Sequence, residues 1–243
     1  MSDQITVIIP VSAMPSHPST EVLDVTIDSI RTRLPDSEII VMFDGVPAWL
    51  EERRANYENF KQSMLWKINY MENCTPLLFD TPHHQSLMTK KALELIRTPL
   101  ILWAEQDTPL HGNIPFNKLE PVVKDGYANL IRFHFEATIP EAHRHLMLDE
   151  EPISILGQPF IRTKQWSGRP HLASTKYYNM IANNFFDDQP RFIEHIMYGL
   201  IAEGGDNYDE HRLHIYAPKG TLVRSKHLDG RRHGAEHYDP TAS

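Results

Sequence analysis

The sequence predicts an α/β fold with a mostly parallel central sheet flanked by helices, and three observations carry that expectation. Residues 5–10 (ITVIIP) and 38–45 (EIIVMFDG) are short runs of mainly apolar and β-branched residues, as strands buried on both faces require. Between them Val22, Leu23, Val25, Ile27, Ile30 and Leu34 recur at helical spacing, which completes a right-handed βαβ unit. A later apolar run, TPLILWAEQDTPL (98–110), passes straight into an acidic turn. Open α/β sheets bind ligands just beyond the carboxyl ends of such strands.

The elements follow in order. Pro10 closes the first strand, and VSAMPSHPST has the prolines and small polar residues of a loop. Ser19 or Thr20 ahead of Glu21 suits a helix start, and Pro35 with Asp36 ends that helix. The second strand runs into an Asp44-Gly45 turn. Residues 48–73 read as helical, with Trp49, Tyr57, Phe60 and Trp66 expected in the core. PLLFD (76–80) is a third strand, 86–97 a basic amphipathic helix and 98–110 a fourth strand. Residues 111–165 are expected to mix strand and loop, with ANLIRFHFEAT (128–138) as a strand. FIRTKQWSGRPHLAS (160–174) reads as strand then loop, 175–184 as a helix, and another helix opens at Pro190. The tail from Arg224 is rich in Arg, His, Gly and Asp and reads as loop.

Composition narrows the class. Hydrophobic residues make up 41% and charged residues 23% of the 243 positions, an ordinary globular balance. No apolar run reaches the roughly 18 residues that a membrane-spanning helix needs. MSDQITVIIP has an acid and no basic stretch, so no secretory leader is expected. Cys74 is the only cysteine, which excludes disulfide scaffolds and cysteine zinc clusters and fits a reducing, cytoplasmic setting. The net charge of −8 argues against a general nucleic-acid binder. Six of the 14 histidines fall between His195 and His237, compatible with metal ligation or with an ordinary surface.

The chemistry centres on LILWAEQDTPL. Its strand delivers Glu105, Gln106 and Asp107 to the ligand edge of the sheet. Two carboxylates so placed can share Mg²⁺ or Mn²⁺, which keep several waters and favour one or two carboxylates plus substrate phosphates. The same residues also suit a solvated acidic turn. Trp166, Arg169, His171, Tyr177 and Tyr178 offer rings and a charge for a second substrate.

In this order ITVIIPVSAMPSHPSTEVLDVTIDSI, EIIVMFDGV, SLMTKKALELIRTPLILWAEQDTPL and RFIEHIMYGLIAEGG resemble the family 2 glycosyltransferases, which have the GT-A fold. The likeness is fullest over residues 4–110. It implies an inverting, divalent-metal-dependent transfer of a sugar from a nucleotide-diphosphate sugar to a hydroxyl of a glycan, protein, small molecule or modified DNA base. Pro10, Val11 and Ser12 would then line the base and ribose, and Asp44 would hydrogen-bond the base. Glu105 would be the first acid of the metal motif, Gln106 its middle residue and Asp107 its metal-touching last residue. Lys90 and Lys91 fall near a basic position facing the diphosphate. The family's Glu-Asp pair appears here as Glu194-His195, so the base would be Glu194 or His195, with Asp187 and Asp188 as further candidates. A third metal ligand would come from the tail, His227 ahead of His233, beside Arg224, Lys226, Arg231 and Arg232. Residues 1–112 would then form the donor half, 113–223 the acceptor half and 224–243 a basic tail over the diphosphate. The alternatives are a nucleotidyltransferase acting on a sugar phosphate, against which the glycine-free loop VSAMPSHPST counts, and a non-catalytic nucleotide-sugar-binding protein of the same fold.

Overall fold

The first strand, β1 (Ile5–Val11), is buried along its whole length because alternate residues serve two cores. Ile5, Val7, Ile9 and Val11 pack into one apolar cluster, and Ile8 packs into another on the opposite face of the sheet. In β2 (Glu38–Phe43), Ile39, Val41 and Phe43 face the first cluster while Ile40 and Met42 face the second. In β4 (Leu100–Trp103), Leu100 and Leu102 oppose Ile101 and Trp103 in the same way. Each such side chain taken out of water contributes about 1.5–3 kcal/mol. That two-sided burial is why these strands read as continuous apolar runs.

The structure, a computed structural model, describes residues 4–203 and 208–228. Its helices are α1 (Glu21–Arg31), α2 (Arg54–Ile68), α3 (His84–Leu93), α4 (Phe116–Lys124), α5 (Thr175–Phe185), α6 (Ile193–Tyr198) and α7 (Tyr208–His211). The remaining strands are β3 (Cys74–Leu78), β5 (Leu130–Arg132), β6 (Ile153–Ile155), β7 (Gln158–Arg162), β8 (His171–Ser174) and β9 (Leu213–Tyr216). One sheet holds them in the order β3-β2-β1-β4-β8-β5-β9-β7-β6. β1 to β4 are mutually parallel, with Ile9 opposite Val41 and Ile8 opposite Trp103. Beyond β4 the sheet is mixed. β8 runs antiparallel to both β4 and β5, so β5 points the same way as β4, and β9 is parallel to β5. The carboxyl ends of β1, β2, β4, β5 and β9 therefore share one edge.

The α/β architecture expected from the sequence is present, and its first half follows the expected order. The second half departs from it. Residues 116–124 form α4, where strand or loop was expected. Phe116, Leu119, Val122 and Val123 are its buried face, and Pro121 inside it masks the pattern, because proline usually breaks helices. The run 128–138 yields only the three-residue β5, and 171–174, expected as loop, is β8. β9 was not anticipated. Of the four aromatics expected in the core, Tyr57 and Phe60 are buried, whereas Trp49 is 76% and Trp66 67% exposed.

Candidate active site

The loop after β1 is folded back on itself and fixed from several sides. The Val11 carbonyl accepts from the Asp44 N–H at 2.9 Å and from the Tyr57 hydroxyl at 3.1 Å. Gln106 donates its side-chain amide to the Ser12 carbonyl at 3.0 Å. His17 accepts from the Met14 N–H at 3.1 Å and stacks on Phe60 with ring centres 3.9 Å apart. A proline-rich segment is thus held as the floor of a cavity.

Asp44, at the end of β2, anchors the opposite wall. Its carboxylate accepts from the N–H groups of Gly45 at 2.9 Å, His83 at 2.7 Å and His84 at 2.9 Å. It therefore ties the start of α3 to the sheet and still lines the cavity. Burial raises its pKa, and those three backbone donors oppose the rise. Gly45 is required here. A β-carbon would come within 2.3 Å of the Thr81 carbonyl carbon and 2.7 Å of the Pro82 nitrogen, both backbone atoms that cannot rotate away.

Beyond β4, Asp107 is 5% exposed, and His227 Nε2 stands 3.5 Å from its Oδ2. The chain from 224 to 228 runs antiparallel to 107–111 and fixes that meeting. Leu228 N–H donates to the Asp107 carbonyl at 2.9 Å, Lys226 N–H to Pro109 at 2.9 Å and His111 N–H to Arg224 at 2.8 Å. Glu105 turns elsewhere: its Oε1 accepts from the Gln85 side-chain amide at 2.7 Å. A β-carbon on Gly168 would stand 2.9 Å from that oxygen and 3.4 Å from Glu194 Oε2. The side chain brought face to face with Asp107 is His227, while Glu105 meets Gln85; a cation gripped by Glu105 and Asp107 together remains an expectation from the sequence. Among the described residues, no three His, Cys, Asp or Glu side chains form a ready-made metal cage. A carboxylate beside an imidazole nonetheless suits Mn²⁺ that draws its other ligands from water and phosphate.

These parts enclose a cavity of about 450 Å³, within the range of small-molecule sites. Eight of the residues singled out from the sequence line it: Pro10, Val11, Ser12, Asp44, Glu105, Gln106, Asp107 and His227. Trp49, Arg53, His84, Gln85 and Phe192 line it too and were missed. Trp49 sits just after the Asp-Gly turn, and its expected burial hid it.

Other candidates lie elsewhere. Lys90 and Lys91 line a separate cavity between α3 and α5. Lys90 donates to the Phe186 carbonyl at 2.6 Å and Lys91 pairs with Glu94 at 3.0 Å, so neither faces the 450 Å³ cavity. Glu194 is half-buried and accepts from the Gly168 N–H at 2.7 Å, behind Glu105 and not on the cavity wall. His195 is exposed and packs its edge on Phe192. Asp187 and Asp188 are exposed, Asp187 paired with Arg191 at 3.0 Å. Trp166, Arg169, His171, Tyr177 and Tyr178 are each at most 4% exposed, which corrects their reading as a second-substrate cleft. His171 and Tyr178, for instance, bond to each other at 2.6 Å inside the core. Arg231, Arg232 and His233 lie outside the described residues.

No family model matches the sequence, and no curated protein matches it. Its structure is similar to solved glycosyltransferases. The first 349 residues of S. aureus TarS match with a TM-score of 0.57 at 11% identity, over 92% of this chain and 60% of that one. The same fragment with UDP-GlcNAc matches at 0.57 and 9%, over 92% and 58%. GalNAc-T7 with UDP, GalNAc and Mn²⁺ matches at 0.55 and 12%, over 92% and 43%. The chain thus spans 60% or less of these proteins. At such identities the likeness establishes the fold, which is the GT-A fold expected from the sequence.

Proposed function

We propose that the protein transfers a sugar from a nucleotide-diphosphate donor to a hydroxyl acceptor, with the donor in the 450 Å³ cavity. The observation that carries this reading is the Asp107–His227 pair, 3.5 Å apart at that cavity. The likeness to TarS with UDP-GlcNAc and to GalNAc-T7 with UDP and Mn²⁺ makes uridine diphosphate and Mn²⁺ the first pair to test.

In this reading Pro10 to Ser12 and Asp44 hold the nucleoside, with Asp44 retaining lone pairs for a base N–H. Asp107 and His227 hold a divalent cation, which when bound draws charge from the diphosphate leaving group. Arg53, on the same wall, adds positive charge. The acceptor's hydroxyl proton passes to a carboxylate at this end of the sheet, with Glu105 on the cavity wall and Glu194 behind it as the candidates. The acceptor oxygen then bonds to the anomeric carbon, the bond from that carbon to the phosphate oxygen breaks, and the electron pair leaves with the diphosphate. A single displacement of this kind inverts the anomeric centre. Residues 1–112 serve the donor, 113–223 the acceptor, and residues 224–228 stand beside the diphosphate.

Thermal unfolding with UDP, with and without Mn²⁺, tests the assignment. Ligand at a hundredfold excess over its Kd adds about 2.7 kcal/mol, a rise of roughly 5–10 °C for a chain of this size. Asp107→Asn and His227→Ala should each remove the Mn²⁺-dependent part of the rise and lower transfer about 100- to 1,000-fold. A Mn²⁺-dependent rise that survives in both variants places the metal elsewhere and sinks the proposal.

A further inference from the structure

We infer that the large cavity on the second half of the sheet edge, about 1000 Å³, is the acceptor site and takes a basic peptide bearing Ser or Thr. The inference rests on the transferase reading and names its acceptor class.

Position comes first. The cavity is lined by the chain leaving β5 (Ala137 to Ile139) and the chain leaving β9 (Pro218 to Leu222). β5 and β9 point the same way as β4, so this cavity and the donor cavity open on one edge. A single segment forms a wall of both. Leu222 lines the second cavity and donates its N–H to the Ala137 carbonyl at 3.1 Å. Val223 bridges to His134, Ser225 bridges to Leu110, and His227 lines the donor cavity. Five residue steps at full extension reach at most about 18 Å. A peptide of ordinary length covers that distance.

Chemistry selects the occupant. Glu150 and Glu151 line the cavity and are exposed. Asp149 beside them is held by the Arg162 guanidinium at 2.6 Å, and Arg144 turns to Glu141 at 2.9 Å. The mouth therefore carries an excess of negative charge, which repels phosphodiester polymers and attracts lysine and arginine. The remaining walls are aliphatic, from Ile139, Met147, Leu148, Ile161 and Leu222, with no Phe, Tyr or Trp among the described residues. Nucleobases and sugar faces are held by stacking on such rings; aliphatic peptide side chains need none. The peptide's Ser or Thr hydroxyl gives its proton to the base, and its oxygen bonds to the anomeric carbon as the diphosphate leaves with the electron pair.

Fluorescence anisotropy with the full chain tests this without any turnover. The probe is a labelled nonapeptide with a central Thr, flanking Val and Leu, and two Lys at each end. An oligodeoxynucleotide and a chitosan oligomer of similar length are measured alongside. The wild type should bind the peptide. Glu150→Lys with Glu151→Lys should weaken it about tenfold at low salt, less at high salt. Thr138→Trp, which fills the mouth, should also weaken it. The rise in melting temperature with UDP and Mn²⁺ should stay unchanged in both variants. Equal peptide affinity in wild type and both variants overturns the inference, as does tighter binding of either the oligodeoxynucleotide or the chitosan oligomer. If the peptide binds as expected but UDP with Mn²⁺ gives no rise, the peptide site stands and the transferase reading fails.

Discussion

The first four strands and the last five are built on different interiors. β1 to β4 are parallel, and β1, β2 and β4 are buried among apolar side chains on both faces. The second half, from β5 to β9, buries ionisable groups: Arg132, His134, Arg169, His171, His211 and His214 are each at most 4% exposed. In the first half, polar residues gather at strand ends and shape a cavity. In the second they lie in the interior, where each must stay neutral or be matched. Chemistry placed at the ends of an apolar strand costs the fold little, whereas chemistry placed inside it makes the fold sensitive to solution conditions.

Acid gives the largest test of that contrast. Burial pushes the His171 pKa down to about 3 and that of His214 down to about 4. Both are below the unfolded value near 6.5. The unfolded chain therefore binds protons that the folded chain rejects, and stability present above pH 6.5 is lost as the pH falls toward those lower values. At pH 5 the loss is about 2 kcal/mol for each histidine, about 4 kcal/mol for the two. Asp44 acts in the opposite sense, because burial raises its pKa. Urea midpoints at pH 8 and pH 5 measure the effect, and His214→Gln should recover about 2 kcal/mol of it. If that variant shows the wild-type dependence on pH, the buried histidines are not the source, and the two halves do not differ in acid sensitivity for this reason.

Glycines sharpen the comparison at a smaller scale. Gly45 is needed for space, since its missing β-carbon would meet the backbone of Thr81 and Pro82. Gly157 is needed only for conformation. It sits at φ +76° with nothing within 4 Å of a built β-carbon, in the two-residue turn that joins β6 to β7. Gly45→Ala should cost about 2–3 kcal/mol by overpacking. It should also weaken UDP binding, because the 81–84 segment that it displaces holds Asp44. Gly157→Ala should cost only about 1 kcal/mol from the left-handed backbone and leave UDP binding alone. Equal costs in urea titrations would mean that the approach at Gly45 relaxes cheaply.

The same contrast explains what could be read from the sequence. β1, β2 and β4 announce themselves because two-sided burial needs an unbroken apolar run, and β4 carries its polar residues just past its end. Seven cavity residues, Pro10, Val11, Ser12, Asp44, Glu105, Gln106 and Asp107, were legible on that basis, and His227 came from the family resemblance. β5, β6, β8 and β9 are three or four residues long, too short for a period to show. Their pairing joins segments far apart in the chain, such as Leu130 with Leu213. Lys90 and Lys91 misled because a basic helix near a motif does not say which face turns inward. Phe192 and Gln85 reach the cavity only through the packing of α3 beside the start of α6, which no local pattern records.

Arg132 is where the second half departs furthest from the first, and its replacement should have the smallest effect on stability. The side chain is 1% exposed. One terminal nitrogen donates to Gln165, while Nε and the other terminal nitrogen have no hydrogen-bond partner among the described residues. Burial and the neighbouring Arg169 push its pKa down to about 9, with Glu194 and Glu136 pulling it back up. A guanidinium still carries its charge at neutral pH under those conditions, so the fold bears a desolvated cation with unmet donors. A flexible apolar side chain of similar volume relieves that cost. Arg132→Met should therefore change stability by less than about 1 kcal/mol, or raise it. If Glu194 is the base, the variant should still lower transfer, because the positive field behind that carboxylate is gone, while UDP binding is retained. A destabilisation of about 3 kcal/mol or more would instead mean that Glu194 and Arg132 form a matched buried pair. The second half would then be held together by its charges, and the contrast with the apolar half would be one of means and not of cost.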